Sequence, residues 1–126
     1  MDKSPDVELR LPADSAYVAI LRTATAGLAA RVDFTLDDIE DLRIAVDEAC
    51  AMVLPQAHAG GTLDCAFWLD PASITVSVSA LGERPAHPSH DSFAWTVLAA
   101  LATSVTADVT ADRLSIVLTR KAGRQL

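Results

Sequence analysis

The chain predicts an α+β fold, a two-layer sandwich with helices on one face of a mostly antiparallel sheet. Three observations carry this reading. Apolar residues alternate over residues 7–11, 62–69, 73–80 and 114–120, as strands require, and 105–110 adds a fifth strand. Apolar residues recur three and four apart in three other stretches, as helices require. The order is strand, two helices, two strands, helix, two strands. With 126 residues, 51% of them hydrophobic, the chain can bury one core, so a single domain over 1–126 is expected.

The first strand, VELRL, sets Val7, Leu9 and Leu11 on one side and stops at Pro12. Asp14 or Ser15 caps the first helix, expected to run to about Val32. Val18, Leu21, Thr25, Leu28 and Val32 form its buried stripe, with Tyr17 and Arg22 off its centre. Thr35 caps the second helix, and Asp38 three residues later completes a capping box with Asp in place of Glu. Acidic residues load its first turns, which the helix dipole favours. Ile39, Leu42, Val46, Ala49 and Val53 make its buried face, and Pro55 and Gly60-Gly61 stop it.

A hairpin follows over 62–69 and 73–80, turning at Asp70-Pro71-Ala72. Residues 81–91 form a loop broken by Gly82, Pro85 and Pro88. Residues 92–104 return to helix, and strands at 105–110 and 114–120 close the sequence.

Composition excludes several roles. The net charge is −7, from 10 basic and 17 acidic residues, with only Lys3 and Lys121 as lysines and scattered arginines. Nucleic-acid binding needs clustered cations, so direct contact with DNA or RNA is not expected. Every apolar run is interrupted well short of the ~20 residues that cross a bilayer, and MDKSPDVELR lacks the apolar core of a secretion signal. A soluble cytoplasmic protein is expected. Cys50 and Cys65 show no metal or redox spacing and read as small buried hydrophobes.

The order of elements, with LRIAVDEAC on the second helix, resembles the anti-sigma-factor kinases of the RsbW and SpoIIAB type. These belong to the superfamily of gyrase, MutL and histidine-kinase ATPase domains. SFAWTVLAALATSV resembles the family's second glycine box and the helix behind it, and LRTATAGLAARVD its partner-binding surface. The resemblance implies an ATP site of three parts. A helix carries a catalytic Glu and, four residues on, a magnesium-binding Asn. An Asp-x-Gly-x-Gly box after a strand reads adenine, and a Gly-x-Gly turn holds phosphates at a helix start.

Glu48 keeps the carboxylate, but Met52 stands at the Asn position, and a thioether is a poor ligand for a hard cation. Gly82 matches the first glycine of the adenine box, with Ala80 for its Asp and Arg84 for its second glycine. Ser92 and Ala94 replace the glycines of the phosphate turn. Losing the metal ligand, adenine reader and phosphate loop together should abolish useful ATP affinity. Glu48 and Gly82 are therefore read as remnants. No cofactor or metal is expected, and ATP with Mg only if the altered site still works.

What the resemblance implies then centres on Arg22, which matches a family arginine contacting both a sigma factor and its anti-anti-sigma competitor. Small neighbours, among them Thr25 and Ala26, would give a flat surface on which Arg22 anchors a partner. The expected function is a dimeric anti-sigma factor that sequesters an alternative sigma factor of the stress or sporulation class. A STAS-domain anti-anti-sigma protein would release it by competition. Two alternatives stay open: an active serine kinase acting on that STAS protein, resting on Glu48, and a sensor taking another small ligand at Arg84 and the loop ERPAHPSHD.

Plain structural roles stand beside these. Asp47 reads as a solvated acidic residue, and Glu48 as a group bonding nearby backbone. His87 and His90 read as loop residues, since two imidazoles without a third ligand make a weak metal site. His58 is expected to interact with the helix end. Phe93 and Trp95 are expected to pack into the vacated pocket.

Overall fold

A computed structural model describes residues 3–123. Its sheet has five strands: β1 (Val7–Pro12), β2 (Thr62–Asp70), β3 (Ser73–Leu81), β4 (Ser104–Val109) and β5 (Arg113–Lys121). Every pairing is antiparallel, in the order β1-β2-β3-β5-β4. One register row runs Leu9, Cys65, Val78, Ile116 and Ala107, and it turns inward. The alternate rows, with Thr75, Ser77, Ser79 and Ser115, form the outer face, as a period of two requires.

Three helices cover the inner face: α1 (Val18–Ala29), α2 (Leu36–Val53) and α3 (Phe93–Leu101). The second packs on β3 and β5, and α1 and α3 flank it. Leu42, Val46 and Val53 of α2 meet Phe67, Val76 and Ile116 of the sheet in a fully buried core. Removing such a group would cost about 2–5 kcal/mol through transfer and cavity terms together. Among the described residues no helix is long and apolar enough to cross a membrane.

The capping box at α2 forms as the spacing predicts. Asp38 N–H donates to Thr35 Oγ1 at 3.1 Å, and Thr35 N–H donates to Asp38 Oδ2 at 3.1 Å. The Asp38 carboxylate does more than cap. Arg120 on β5 donates to it at 2.8 Å, and so does the Gly123 N–H at 3.0 Å. Arg120 also reaches Asp41 at 3.2 Å and the Leu101 carbonyl at 2.7 Å. One guanidinium thus ties the start of α2, the end of α3 and the last strand together. Burial alone would raise the Asp38 pKa. The hydrogen bonds from Arg120, Gly123 and Thr35 outweigh it and lower the carboxyl to about 2.

Two helices end earlier than the pattern predicts. α1 stops at Ala29, where Arg31 and Val32 N–H groups bond Leu28 and Ala29 carbonyls in tight three-residue turns. α3 stops at Leu101 because Ala102 is extended, and Thr103 N–H already donates to Thr119 of β5 at 2.7 Å. The sheet therefore claims Ser104, which the periodicity had left in the helix.

Candidate functional site

Arg22 and Glu48 come together in one open groove between α1 and α2. It encloses about 390 Å³ and is lined by Ser15, Val18, Arg22, Asp47, Glu48 and Leu54, among others. Arg22 Nε donates to both oxygens of Asp47, at 3.1 and 3.2 Å. The two side chains are 37% and 35% exposed. Asp47, expected to be solvated, is instead the partner that holds Arg22. Spacing within one helix could not show this, because the pair spans 25 residues and two helices. Glu48 is half-buried, and among the described residues its carboxylate makes no hydrogen bond or ion pair, so the expected backbone bond is not seen.

Ala26 is partly exposed on α1, but Thr25 is fully buried. Its hydroxyl donates to the Leu21 carbonyl at 2.8 Å, one turn back along the helix. That corrects its expected place on a partner surface: position 25 falls on the stripe that α1 turns to the core, and the side chain offers nothing outward.

The residues aligned with a nucleotide site have other employment. Met52 packs against the core. Gly82 is buried, and a Cβ there would lie 1.9 Å from the Gln56 carbonyl oxygen. Only a glycine lets the two backbones approach so closely. Two bonds seal this junction: Gly82 N–H to Asp112 O at 2.8 Å and His58 N–H to Leu81 O at 2.9 Å. His58 thus acts here through its backbone. The Gln56 side chain pairs with both backbone groups of Ala86, at 2.9 and 2.8 Å, and so pins the loop over 82–91. Nothing in the local pattern marks Gln56 for this role. Arg84 keeps a left-handed φ of 47°, the conformation glycine adopts freely.

At the start of α3, the Ser92 hydroxyl accepts from Trp95 N–H at 3.1 Å, so the chain caps the helix end where phosphate would bind. Trp95 is 8% exposed and stacks on His90, with ring centroids 4.3 Å apart. Phe93, expected to fill the pocket with it, is 84% exposed. As the first residue of α3 it falls on the side away from the core that Trp95 and Leu98 enter. Taken together these residues do not fit a magnesium nucleotide: a thioether replaces the metal ligand, and chain atoms occupy the glycine junction and the helix start. Among the described residues no cluster of His, Cys, Asp and Glu is placed to hold a metal ion. Burial raises both cysteine thiols to about 12, leaving no thiolate for chemistry.

Comparison with known proteins agrees with the fold. Residues 11–117 match the family described as the histidine kinase-like ATPase domain. The serine-protein kinase RsbW of Halalkalibacterium halodurans is 38% identical over 78 residues, covering 61% of this chain and 48% of that protein. That of Bacillus thuringiensis is 43% identical over 58 residues, covering 46% of this chain and 36% of that protein. The chain thus spans about half or less of the curated relatives it matches. A crystal structure of the RsbU and RsbW domains of a Mycobacterium tuberculosis protein superposes with a TM-score of 0.71 at 17% identity, covering 96% of this chain and 34% of that one. The chain therefore belongs to the histidine kinase-like ATPase domain family, and within it the sequence is similar to RsbW serine-protein kinases.

Proposed function

We propose that this protein is an anti-sigma factor that works by binding alone, sequestering an alternative sigma factor of the stress or sporulation class. A STAS-domain anti-anti-sigma protein would compete for the overlapping surface, and the working unit would be a homodimer in the cytoplasm. Similarity to RsbW kinases supports the class. The observation that carries the reading is the Arg22–Asp47 pair, which holds a guanidinium on the open α1–α2 groove. Arginine held in this way is a favoured anchor at protein interfaces. Release by competition then follows from differential affinity, tenfold for each 1.4 kcal/mol.

Lack of kinase activity is part of the proposal. Its support is Met52 at the magnesium-ligand position, the close approach of Gly82 to Gln56, and the Ser92 cap on the start of α3. The test is a pull-down of the native host's alternative sigma factors with wild type and Arg22→Glu. The variant should lose the sigma factor yet melt within about 4 °C of wild type, because a half-exposed ion pair contributes only about 0–1 kcal/mol. Unchanged capture by the variant would remove Arg22 from the mechanism.

A further inference from the structure

Nothing in the local sequence assigns Asp47 a task, yet it is the residue that decides how Arg22 is presented. Its two oxygens both accept from Arg22 Nε, at 3.1 and 3.2 Å. Among the described residues, Nη1 and Nη2 of Arg22 have no hydrogen-bond partner, and the side chain is 37% exposed. A guanidinium is a rigid planar fork. Fixing its Nε–H therefore fixes the direction of the remaining N–H groups. The edge left over suits end-on contact with a carboxylate, the geometry at which arginine excels.

We propose that Asp47 is a positioning residue for docking: it pre-orders Arg22 so that its terminal amino groups meet a carboxylate of the protein partner. This inference rests on the docking reading above. A free arginine loses rotamer entropy when a partner immobilises it. In this groove the loss has already occurred in the unbound protein. The two carboxylates on the α2 side of the groove are not equivalent. Asp47 is committed to Arg22, whereas Glu48 bonds nothing among the described residues. Asp47 touches the partner only through Arg22, so its contribution should vanish when Arg22 is absent.

The experiment is a double-mutant cycle in binding, using the host's alternative sigma factors purified one at a time. Wild type, Arg22→Ala, Asp47→Ala and the double variant are titrated, and each is melted as a check on folding. Arg22→Ala should weaken binding about thirtyfold, the scale of an interface anchor. Asp47→Ala should weaken it about three- to tenfold, the scale of one side chain left to be ordered on binding. The double variant should bind no more weakly than Arg22→Ala, and Asp47→Glu should restore most of the affinity. A loss from Asp47→Ala that persists undiminished without Arg22 would overturn the positioning role, as would unchanged or tighter binding by Asp47→Ala. If wild type binds none of the sigma factors, the docking reading fails and takes this inference with it.

Discussion

Replacing Gly82 with alanine separates two roles for that residue. If it serves the close approach of its backbone to Gln56, the methyl group meets the carbonyl oxygen 1.9 Å away. That oxygen belongs to the main chain and cannot swing aside as a side chain would. Relief requires the loop and the turn at Leu54–Gln56 to part by more than an ångström. The bonds from Gly82 to Asp112 and from His58 to Leu81 would stretch with it. Each is worth about 1 kcal/mol, and forcing a methyl into a filled site adds about 1–3 kcal/mol. The expected loss is about 3–5 kcal/mol. At about 2 cal/mol/K per residue of unfolding entropy, that lowers Tm by roughly 12–20 °C. Two other glycines calibrate the scale. Gly60 has a φ of 74°, but a methyl group there would meet nothing within 4 Å, so Gly60→Ala should cost only about 1 kcal/mol. Gly27 sits inside α1 with open space around it, so Gly27→Ala should gain about 0.5–1 kcal/mol. Thermal melts of the three variants are the assay. A Gly82→Ala protein melting at the wild-type temperature would refute the packing role and return Gly82 to a ligand.

Other substitutions test the remaining contacts. Ser92→Ala removes the cap on α3 and should cost about 1 kcal/mol, a fall in Tm of about 4 °C. Acid titration tests the Asp38 junction. A carboxyl lowered to about 2 in the folded protein stabilises it by roughly 2 kcal/mol above its ordinary pKa of 3.8, and that contribution disappears as the pH falls through about 2. Asp38→Asn should therefore be less stable than wild type at pH 7 by about that amount, with the gap closing toward pH 2 in urea melts. A gap that persists unchanged at low pH would contradict an electrostatic origin. Calorimetry with ATP and magnesium should show no heat of binding, whereas micromolar affinity would restore the kinase reading.

The periodicities of the chain revealed the architecture because each element is simple in its own frame. β3 alternates cleanly, and Ile74, Val76 and Val78 are all fully buried. Thr35 and Asp38 announced their capping box by spacing alone. The site was only half legible. Arg22 and Glu48 were found through resemblance, and the fold brings them to one groove. The Arg22–Asp47 pair and the Gln56–Ala86 clasp were invisible, because each joins residues 25 or more positions apart with no local signature. Thr25 shows the reverse failure. Its position on the buried stripe and its proximity to Arg22 argued for different faces, and the packing of α1 on α2 decided for the core. Phe93 and Trp95 differ for the same reason. Two residues on, a helix has turned by about 200°, so one ring enters the core and the other leaves it.

The proposed mechanism joins two statements, that the protein captures a sigma factor through Arg22 and that nucleotide plays no part. Affinity for the captured sigma factor, measured with and without magnesium ATP, tests both at once. The expected result is the same dissociation constant under both conditions for wild type, and a much weaker one for Arg22→Glu under both. A constant that shifts severalfold on adding magnesium ATP would contradict it, as would an Arg22→Glu protein that binds as tightly as wild type.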